Sequence, residues 1–150
     1  AITNEGRVAY EKKDYAKAAR LFQITADQGD VVAKVYLGVM YENGKGVGKD
    51  YSKAASLYRK AADQGAISAQ TGLGRLYDFG LGVRKDYAKA VFWYSKAANQ
   101  GDALAQVGLA YMYEQGRGVV RDYDKAVIWY RKAANQGDAW SQQWLKEKGL

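Results

Sequence analysis

The sequence predicts an all-α protein, an α-solenoid built from antiparallel helix pairs, and three observations lead to that prediction. Proline is absent from the 150 residues, whereas alanine, lysine, tyrosine and glutamine are abundant, a balance that favours helices over turn-rich sheets. The dipeptides Asp-Tyr and Gln-Gly each recur with a constant step of 36 residues. The segments between them carry apolar residues at helical spacing.

The second helix of each repeat is predicted from the segment between Asp-Tyr and Gln-Gly, for example DYSKAASLYRKAADQG. Its apolar residues follow the i, i+3, i+4, i+7 spacing of an amphipathic helix. Asp50 suits the N-cap, because its carboxylate can accept an unpaired backbone N–H. Gly65 suits the left-handed residue that ends a helix. The pattern therefore predicts both ends of this helix.

The first, or leading, helix of each repeat follows Gln-Gly, as in AISAQTGLGRLYDFG. Ala69, Leu73 and Leu76 form one apolar stripe on it. Glycine within a helix costs about 1 kcal/mol relative to alanine, so its recurrence predicts close contact with a neighbouring helix. The glycines concerned are Gly38, Gly74 and Gly108. Because a helix pair cannot bury its apolar stripes alone, we expect successive pairs to stack into a solenoid.

The repeat pattern predicts a single domain over residues 1–150 with about nine helices. The N-terminal repeat reaches Asp14 directly from its first helix and lacks the glycine-containing loop of the other repeats. The C-terminal segment AWSQQWLKEKGL is expected to be a capping helix, because the last repeat of a stack faces water on one side. The predicted divisions are 1–30, 31–66, 67–102, 103–138 and 139–150.

The stretch YENGKGVGKDYSKA, residues 41–54, has the glycines and lysines of a phosphate-binding loop but not its spacing. Three residues separate Gly44 from Gly48, where a phosphate loop needs four, and no hydroxyl residue follows the second lysine. The stretch returns as YDFGLGVRKDYAKA and YEQGRGVVRDYDKA, with the third glycine replaced. We therefore predict a joint between repeats, in which Gly44 ends a helix, Gly46 permits a bend and Val47 packs into the core.

Composition narrows the classes of function. Cysteine and histidine are absent, which removes disulfides, thiolate chemistry, zinc sites of the usual kind and histidine-assisted nucleophiles. We expect no metal, no cofactor and no catalytic residue. No apolar run approaches the ~20 residues of a membrane span. The formal net charge of +7 is compatible with plain solubility or with an acidic partner.

The repeats resemble the Sel1-like repeats, relatives of the tetratricopeptide repeats. The resemblance rests on the Leu-Gly-x-x-Tyr pattern, the Gly-x-Gly-Val loop and the Asp-Tyr-x-Lys-Ala helix start, and it covers essentially the whole chain. The N-terminal repeat, with Gly6, Ala18 and Phe22, is more similar to a tetratricopeptide unit. The resemblance implies a right-handed superhelix whose concave groove is lined by the leading helices, and a role as adaptor or scaffold, often in bacterial envelopes. One cysteine-rich branch of the family is linked to β-lactam hydrolysis, but this chain has neither cysteine nor a Ser-x-x-Lys motif.

Differences between the repeats of this one chain indicate where a partner binds. Positions held in every repeat serve the architecture, whereas two positions of the leading helices, four residues apart and facing away from the alanine stripe, vary freely. We expect Phe79 and Tyr111 to be anchors, because aromatic side chains contribute much of the free energy of many interfaces. The alternative is that both rings, and Trp140, pack within the stack. By resemblance to the tetratricopeptide groove, the concave surface contains Val35, Val39, Thr71, Arg75, Asp78, Phe79, Val107, Tyr111, Glu114, Gln115, Trp140 and Gln143.

The function that we predict is non-enzymatic binding of a protein or peptide in this groove. Inhibition of a bacterial effector, as its immunity partner, is one form that the resemblance suggests. The start on Ala1 fits either a cleaved signal peptide or a trimmed chain, and we favour an exported, periplasmic form over a cytoplasmic one. Self-association through the ends of the solenoid is a further option.

A carboxylate-dependent hydrolase is the enzymatic alternative. It would use Glu42, Asp78 or Glu114, which recur near the ends of successive leading helices. We favour a structural role for them, with the negative charge offset by cations of the adjoining loop. These cations are Lys45, Lys49, Arg117 and Arg121.

Nucleic-acid binding through a basic edge is a second, less favoured alternative. Cations flank each helix-capping aspartate, beside tyrosines that could stack on bases. We expect the tyrosines to be core residues and the cations to offset the local aspartates. The cations are Lys13, Lys49, Lys53, Lys85, Lys89, Arg121 and Lys125, and the tyrosines are Tyr51, Tyr87 and Tyr123.

Overall fold

The regular structure consists of α-helices throughout the described part of the chain. A computed structural model describes residues 2–150, in which there are nine helices and no strand. This confirms the predicted all-α fold. None of the helices in that range is long and apolar enough to cross a membrane. The helices are α1 (Ile2–Glu11), α2 (Tyr15–Asp27), α3 (Val31–Asn43), α4 (Tyr51–Asp63), α5 (Ile67–Phe79), α6 (Tyr87–Asn99), α7 (Ala103–Gln115), α8 (Tyr123–Asn135) and α9 (Ala139–Glu147).

The chain divides into two compact units. The N-terminal unit comprises the residues up to Ala69 together with Leu81–Arg84, and the C-terminal unit comprises Gln70–Gly80 and Lys85–Leu150. In the N-terminal unit, α1 packs on α2, α2 on α3 and α3 on α4. In the C-terminal unit, α6, α7, α8 and α9 pack in the same successive order. Neighbours in sequence are therefore neighbours in space, as expected for stacked repeats.

Helix boundaries lie where the sequence predicts them, because aspartate begins the helices and glycine follows their ends. Asp50 is the N-cap of α4, and its side chain accepts the backbone N–H of Lys53 at 3.0 Å. Aspartates cap α2, α3, α6, α7, α8 and α9 in the same way. Gly44 ends α3 with a left-handed φ of 66°. At α4 the cap is Gln64, and the left-handed residue is Gly65, one position later, at φ 90°.

The glycine loop is a joint between repeats, as predicted. Gly46 has a φ of 71°, and a Cβ at this position would overlap the backbone of Tyr15. Val47 packs against the core of the N-terminal unit. The N–H of Asp50 donates to the carbonyl oxygen of Tyr41 at 2.9 Å, which fixes the loop against the preceding helix. Equivalent hydrogen bonds join Asp86 to Tyr77 and Asp122 to Tyr113, both at 3.0 Å.

Glycines in the leading helices allow aromatic rings of the second, or trailing, helix of each repeat (α2, α4, α6 and α8) to pack against the backbone. A Cβ on Gly38 would come within 2.6 Å of the Tyr58 ring, and one on Gly74 within 2.7 Å of the Tyr94 ring. Gly108 also lies against Tyr94, at 2.9 Å for the same hypothetical atom. The predicted close packing is confirmed. The alanines of the trailing helices complete this core, and Ala18, Ala54, Ala90 and Ala126 are fully buried.

Candidate partner-binding site

The variable residues of the leading helices lie at different depths, so part of the predicted set forms an accessible surface. Arg75 and Phe79 are exposed, one helical turn apart on α5. Tyr111 and Gln115 occupy the same two positions on α7, the first half-buried and the second exposed. We call these four residues the leading-helix face of the C-terminal unit. Of the other predicted residues, Gln143 and Trp140 are exposed, Val35, Val39, Thr71, Val107 and Glu114 are half-buried, and Asp78 is buried.

Of the aromatic residues predicted for the groove, Phe79 and Trp140 are exposed, whereas Tyr111 is half-buried. Phe79 is 61% exposed, so its ring is not packed within the stack. Trp140 is 52% exposed, although its ring centroid lies 5.3 Å from that of Tyr130. Tyr111 is half-buried and packs partly against the core formed by α6 and α7. Phe79 is therefore the most accessible of the aromatic residues predicted for the groove.

Thr71 has a structural partner that its variability did not reveal. Its hydroxyl donates to Asp102 Oδ2 at 2.8 Å, and Asp102 is the N-cap of α7. The same bond joins Thr3 to Asp30 at 2.9 Å. The pKa of Asp30 is held below its ordinary value, chiefly because its carboxylate accepts the N–H of Ala33 and also because Thr3 donates to it. Thr71 thus ties one leading helix to the start of the next.

Tyrosine hydroxyls hold Glu42 and Asp78, two of the three carboxylates that recur in the leading helices. At the third, Glu114, the hydroxyl of Tyr130 is buried without a hydrogen-bond partner in the described chain. Glu42 and Asp78 are buried, at 8% and 6% exposure. Tyr58 donates to Glu42 Oε2 at 2.7 Å, and Tyr94 donates to Asp78 Oδ2 at 3.2 Å, each from 16 residues further along the chain. The predicted structural role gains support from this geometry. The sequence predicted that loop cations offset the charge of Asp78. In the structure a tyrosine makes the hydrogen bond to it, and the loop cations act from further away.

The surroundings of Asp78 disfavour its charged form. Burial raises the pKa of Asp78, while the hydrogen bond from Tyr94 and the charges of Arg117 and Lys85 act in the opposite direction. Its Oδ1 atom is buried and has no hydrogen-bond partner among residues 2–150. Burial and the neighbouring carboxylate together raise the pKa of Tyr94 far above its ordinary value. In that same range, no group of three or more acidic side chains could hold a metal ion.

In the N-terminal repeat, the tyrosine and the carboxylate that it binds in later repeats are both replaced. Phe22 takes the place of the tyrosine and packs on Gly6 as Tyr58 packs on Gly38. Four residues after Gly6, where the other repeats have a carboxylate after the corresponding glycine or alanine, stands Tyr10. Where the ring has no hydroxyl, the carboxylate is therefore absent as well, since a buried carboxylate without a donor would be costly. This supports a role of the carboxylates in folding.

Five lysines of the basic edge lie over tyrosine rings, namely Lys49, Lys53, Lys85, Lys89 and Lys125. Lys53 Nζ lies 5.2 Å from the ring centroid of Tyr41, at the C-terminal end of α3. Lys89 and Tyr77, and Lys125 and Tyr113, repeat this arrangement at 5.4 Å. Of the helix-opening tyrosines expected in the core, Tyr87 is half-buried and packs against the core of α6 and α7, and Tyr51 is half-buried. The expectation was wrong for Tyr123, which is 43% exposed.

Arg117 was predicted from the sequence only to offset the charge of nearby carboxylates. The residue between the two glycines of each loop differs between repeats, and is Lys45, Leu81 or Arg117. The Arg117 guanidinium lies 5.2 Å from the ring centroids of both Tyr87 and Tyr111. The sequence could have identified this position as a candidate binding residue, because it varies between repeats while its flanking glycines do not.

Helix pairs that recur at a constant step, joined by glycine loops and sharing tyrosine–carboxylate pairs, define an α-helical repeat protein. The chain belongs to the Sel1 repeat family, whose pattern matches residues 4–30, 31–65, 67–102 and 103–138. The predicted resemblance is thereby confirmed.

Solved structures of similar proteins have the same fold. A protective antigen of uropathogenic Escherichia coli is 36% identical with a TM-score of 0.88, over 99% of this chain and 33% of its own. A Sel1 repeat protein of Oxalobacter formigenes is also 36% identical, with a TM-score of 0.87, over 93% of this chain and 56% of its own. The chain thus spans about a third of the first and just over half of the second. None of the curated proteins matches it.

A more distant structure supports the architecture alone. Cysteine-rich protein B of Helicobacter pylori is 24% identical, with a TM-score of 0.64, over 95% of this chain and 96% of its own. Because these structures are solenoids of this repeat, the predicted α-solenoid is confirmed.

Proposed function

We propose that this protein is a non-catalytic interaction module whose leading-helix face binds a protein or peptide. Proteins with Sel1 repeats are generally scaffolds for protein–protein interaction. The observation that carries the proposal is Phe79, a large apolar side chain that is 61% exposed at the end of α5. A partner that covers the ring would remove it from water, which is favourable by about 2 kcal/mol for a fully buried phenylalanine.

The internal comparison of repeats supports this choice of surface. The position of Phe79 is held by Asn43 and Gln115 in the neighbouring repeats, so the stack does not need an aromatic residue there. The position of Arg75 is held by Val39 and Tyr111. Arginine and aromatic side chains are enriched among residues that dominate binding free energies. The face therefore combines the residue types expected of an interface with positions that the architecture leaves variable.

A variant that exchanges the face for residues of another repeat tests the proposal. The triple variant Arg75→Val, Phe79→Asn and Tyr111→Val introduces the side chains of Val39 and Asn43, which the same fold already accommodates. We expect the immobilised wild-type protein to capture a partner from a lysate of the source cell, and the triple variant to lose at least about 90% of that capture, because hot-spot residues contribute most of the binding free energy. Circular dichroism should show unchanged helicity.

The matched control changes exposed apolar residues on trailing helices. Phe92 and Ile128 are 52% and 51% exposed, and Ser56 occupies the same position in the preceding repeat. The double variant Phe92→Ser and Ile128→Ser should retain capture. Loss of capture in this control, with retention in the triple variant, would place the binding surface on the trailing helices instead.

A narrower form of the proposal is that the partner is a secreted bacterial effector, which this protein inhibits. The bacterial origin of the similar structures supports it. Co-expression with the captured protein should then relieve growth inhibition caused by that protein, and the triple variant should not.

The two alternatives have direct assays. Turnover of a substrate that is lost in Asp78→Asn would favour a hydrolase, although the buried tyrosine-bound state of Asp78 supports a structural role. Tight, salt-sensitive retention of RNA or DNA in a filter-binding assay would favour nucleic acid. Lys49 and Lys85 lie over the rings of Tyr51 and Tyr87, at 4.9 and 5.5 Å, which argues against the stacking of these two rings on bases.

A further inference from the structure

The loop between α7 and α8 carries Arg117, whose side-chain donors have no acceptor in the described part of the chain. The Arg117 guanidinium lies near the rings of Tyr87 and Tyr111, 5.2 Å from each centroid. Cation–π attraction holds the group in place but gives its N–H groups no acceptor oxygen. Among residues 2–150, Arg117 makes no side-chain hydrogen bond or ion pair. Because a guanidinium presents up to five N–H donors in one plane, it is able to bind an oxyanion through two parallel hydrogen bonds.

The backbone that carries Arg117 is held by its flanking glycines. Gly116 and Gly118 have left-handed φ values of 66° and 69°. A Cβ on Gly118 would overlap the backbone of Tyr87, so the loop lies directly against the start of α6. The N–H of Arg117 donates to the carbonyl oxygen of Met112 at 2.9 Å. A side chain on such a fixed loop loses less conformational entropy when it binds a ligand.

A second cation lies over the same ring. Lys85 Nζ is 5.5 Å from the ring centroid of Tyr87. This tyrosine therefore has two cations nearby, Lys85 from the loop that precedes α6 and Arg117 from the loop of the next repeat. The corresponding rings differ, since Tyr15 has Lys45 and Tyr51 has Lys49. Of the tyrosines that open α2, α4, α6 and α8, Tyr87 is the one that has two such cations. An anion bound between like charges reduces their mutual repulsion.

The nearby carboxylates do not neutralise this pair by direct contact. Asp78 interacts electrostatically with Arg117 and Lys85, but it is buried and hydrogen-bonded to Tyr94. It forms no ion pair with either cation within 4.0 Å in the described chain. Glu114 accepts a hydrogen bond from Gln115 at 3.3 Å instead. A Cβ on Gly80 would lie 3.1 Å from the Cβ of Lys85, so Lys85 is close to the end of α5, which carries the exposed Phe79.

We propose that Arg117 and Lys85 form an oxyanion site that binds a carboxylate side chain from an acidic segment of the protein partner. The inference rests on the proposed function, because it specifies the chemistry of the partner at the same side of the C-terminal unit. Aspartate and glutamate supply the oxyanions of an unmodified protein, and arginine matches their two oxygens. Phe79 would contact an apolar residue next to the carboxylate.

Selection from a phage library of random dodecapeptides tests the inference. Wild-type protein should enrich peptides with aspartate or glutamate next to an apolar residue. Arg117→Leu should lose the acidic preference and retain its fold, since Leu81 occupies that position in the preceding repeat. Lys45→Leu is the matched control, because it removes the same charge from the same loop position over Tyr10 and Tyr15. This control should keep the preference.

A double-mutant cycle with one selected peptide then measures the contact. Fluorescence anisotropy should show about a tenfold weaker affinity for Arg117→Leu, in line with loss of a charge-assisted hydrogen bond. Replacing the peptide aspartate by asparagine should weaken binding to the wild type, but not further weaken binding to Arg117→Leu. Arg117→Lys, which keeps the charge and loses the planar fork, should fall between the two.

Each other outcome overturns a different statement. If wild-type protein enriches no peptide, peptide binding and the oxyanion site both fail. If peptides are enriched without acidic residues, or equally by Arg117→Leu, the oxyanion site fails while peptide binding stands. If oligouridylate RNA binding falls in Arg117→Leu but peptide binding does not, the site binds phosphate, and the carboxylate assignment is wrong.

Discussion

At the residue scale, Asp78 shows how one buried carboxylate makes stability depend on pH. Tyr94 supplies a hydrogen bond to Oδ2, whereas Oδ1 is buried and has no partner in the described chain. Burial outweighs the hydrogen bond and the nearby cations, so the pKa of Asp78 is raised. A raised pKa means that the ionised carboxylate costs folding free energy. Its contribution to stability is fully present below the ordinary pKa of aspartate and is lost as pH rises through the raised value.

We therefore expect Asp78→Asn to be more stable than the wild type at pH 7. The amide oxygen can still accept from Tyr94, while no charge is buried. The difference should vanish below the ordinary pKa of aspartate, where the wild-type carboxyl is neutral in both the folded and the unfolded chain. Urea denaturation of both proteins across this pH range measures the effect.

Tyr94→Phe is the control for that experiment. It removes the donor and leaves the buried carboxylate unbonded, so it should destabilise the protein by about 1–3 kcal/mol at pH 7. An Asp78→Asn variant that is less stable than the wild type at neutral pH would show that the charge of Asp78 stabilises the fold.

At the scale of the element, the joint between repeats depends on a backbone shape that particular glycines allow. Gly46 combines a φ of 71° with contact against the Tyr15 backbone. Gly48, two residues later, has open space around the position of a Cβ. The neighbouring repeats have Arg84 and Val120 at the position of Gly48. The loop therefore requires a glycine at position 46 but not at position 48.

Substitution of these two glycines by alanine should separate the roles. Gly46→Ala is expected to destabilise the protein by about 2 kcal/mol or more, because both the left-handed backbone and the Tyr15 contact oppose a side chain. Gly48→Ala should change stability by no more than about 0.5 kcal/mol, since the position is open and holds larger residues elsewhere. Thermal unfolding followed at 222 nm compares them. Equal losses in both variants would contradict this account of the joint.

At the scale of the whole molecule, stacked repeats confine a defect to its neighbours. The C-terminal unit ends with α9, in which Trp144 is 8% exposed and packs 4.3 Å from the ring centroid of Tyr130. Trp140, on the same helix, is 52% exposed. In solenoids, stability is close to a sum of terms for each repeat and its contacts. Damage at α9 should therefore weaken the nearest helices first.

Trp144→Ala tests this expectation. It should cost about 3–5 kcal/mol, as large-to-small changes at buried aromatic residues do. Hydrogen exchange should show lost protection in α8 and α9, while α1, α2 and α3 keep theirs. Trp140→Ala, the matched change at an exposed tryptophan, should cost about 1 kcal/mol or less. A uniform loss of protection along the chain after Trp144→Ala would mean that the molecule unfolds as one cooperative body.

The sequence by itself determined the helices, their ends, the joints and the family. Asp50, Gly44 and Gly46 act on backbone groups within a few residues, so their chemistry can be read locally, and the constant step repeats the same signal along the chain. A structural role was also predicted for Asp78, and the hydrogen bond from Tyr94 supports it, although the sequence did not identify this donor.

Only the tertiary structure decided which distant side chains meet and how deeply each one lies. Tyr94 reaches Asp78 from 16 residues away, and Thr71 reaches Asp102 across 31 residues. The Arg117 guanidinium lies over the ring of Tyr87, 30 residues earlier in the chain. Phe79 remains exposed. The physical reason is that spacing along one helix reports which face a residue occupies, whereas burial and hydrogen bonding depend on what a neighbouring helix places against that face.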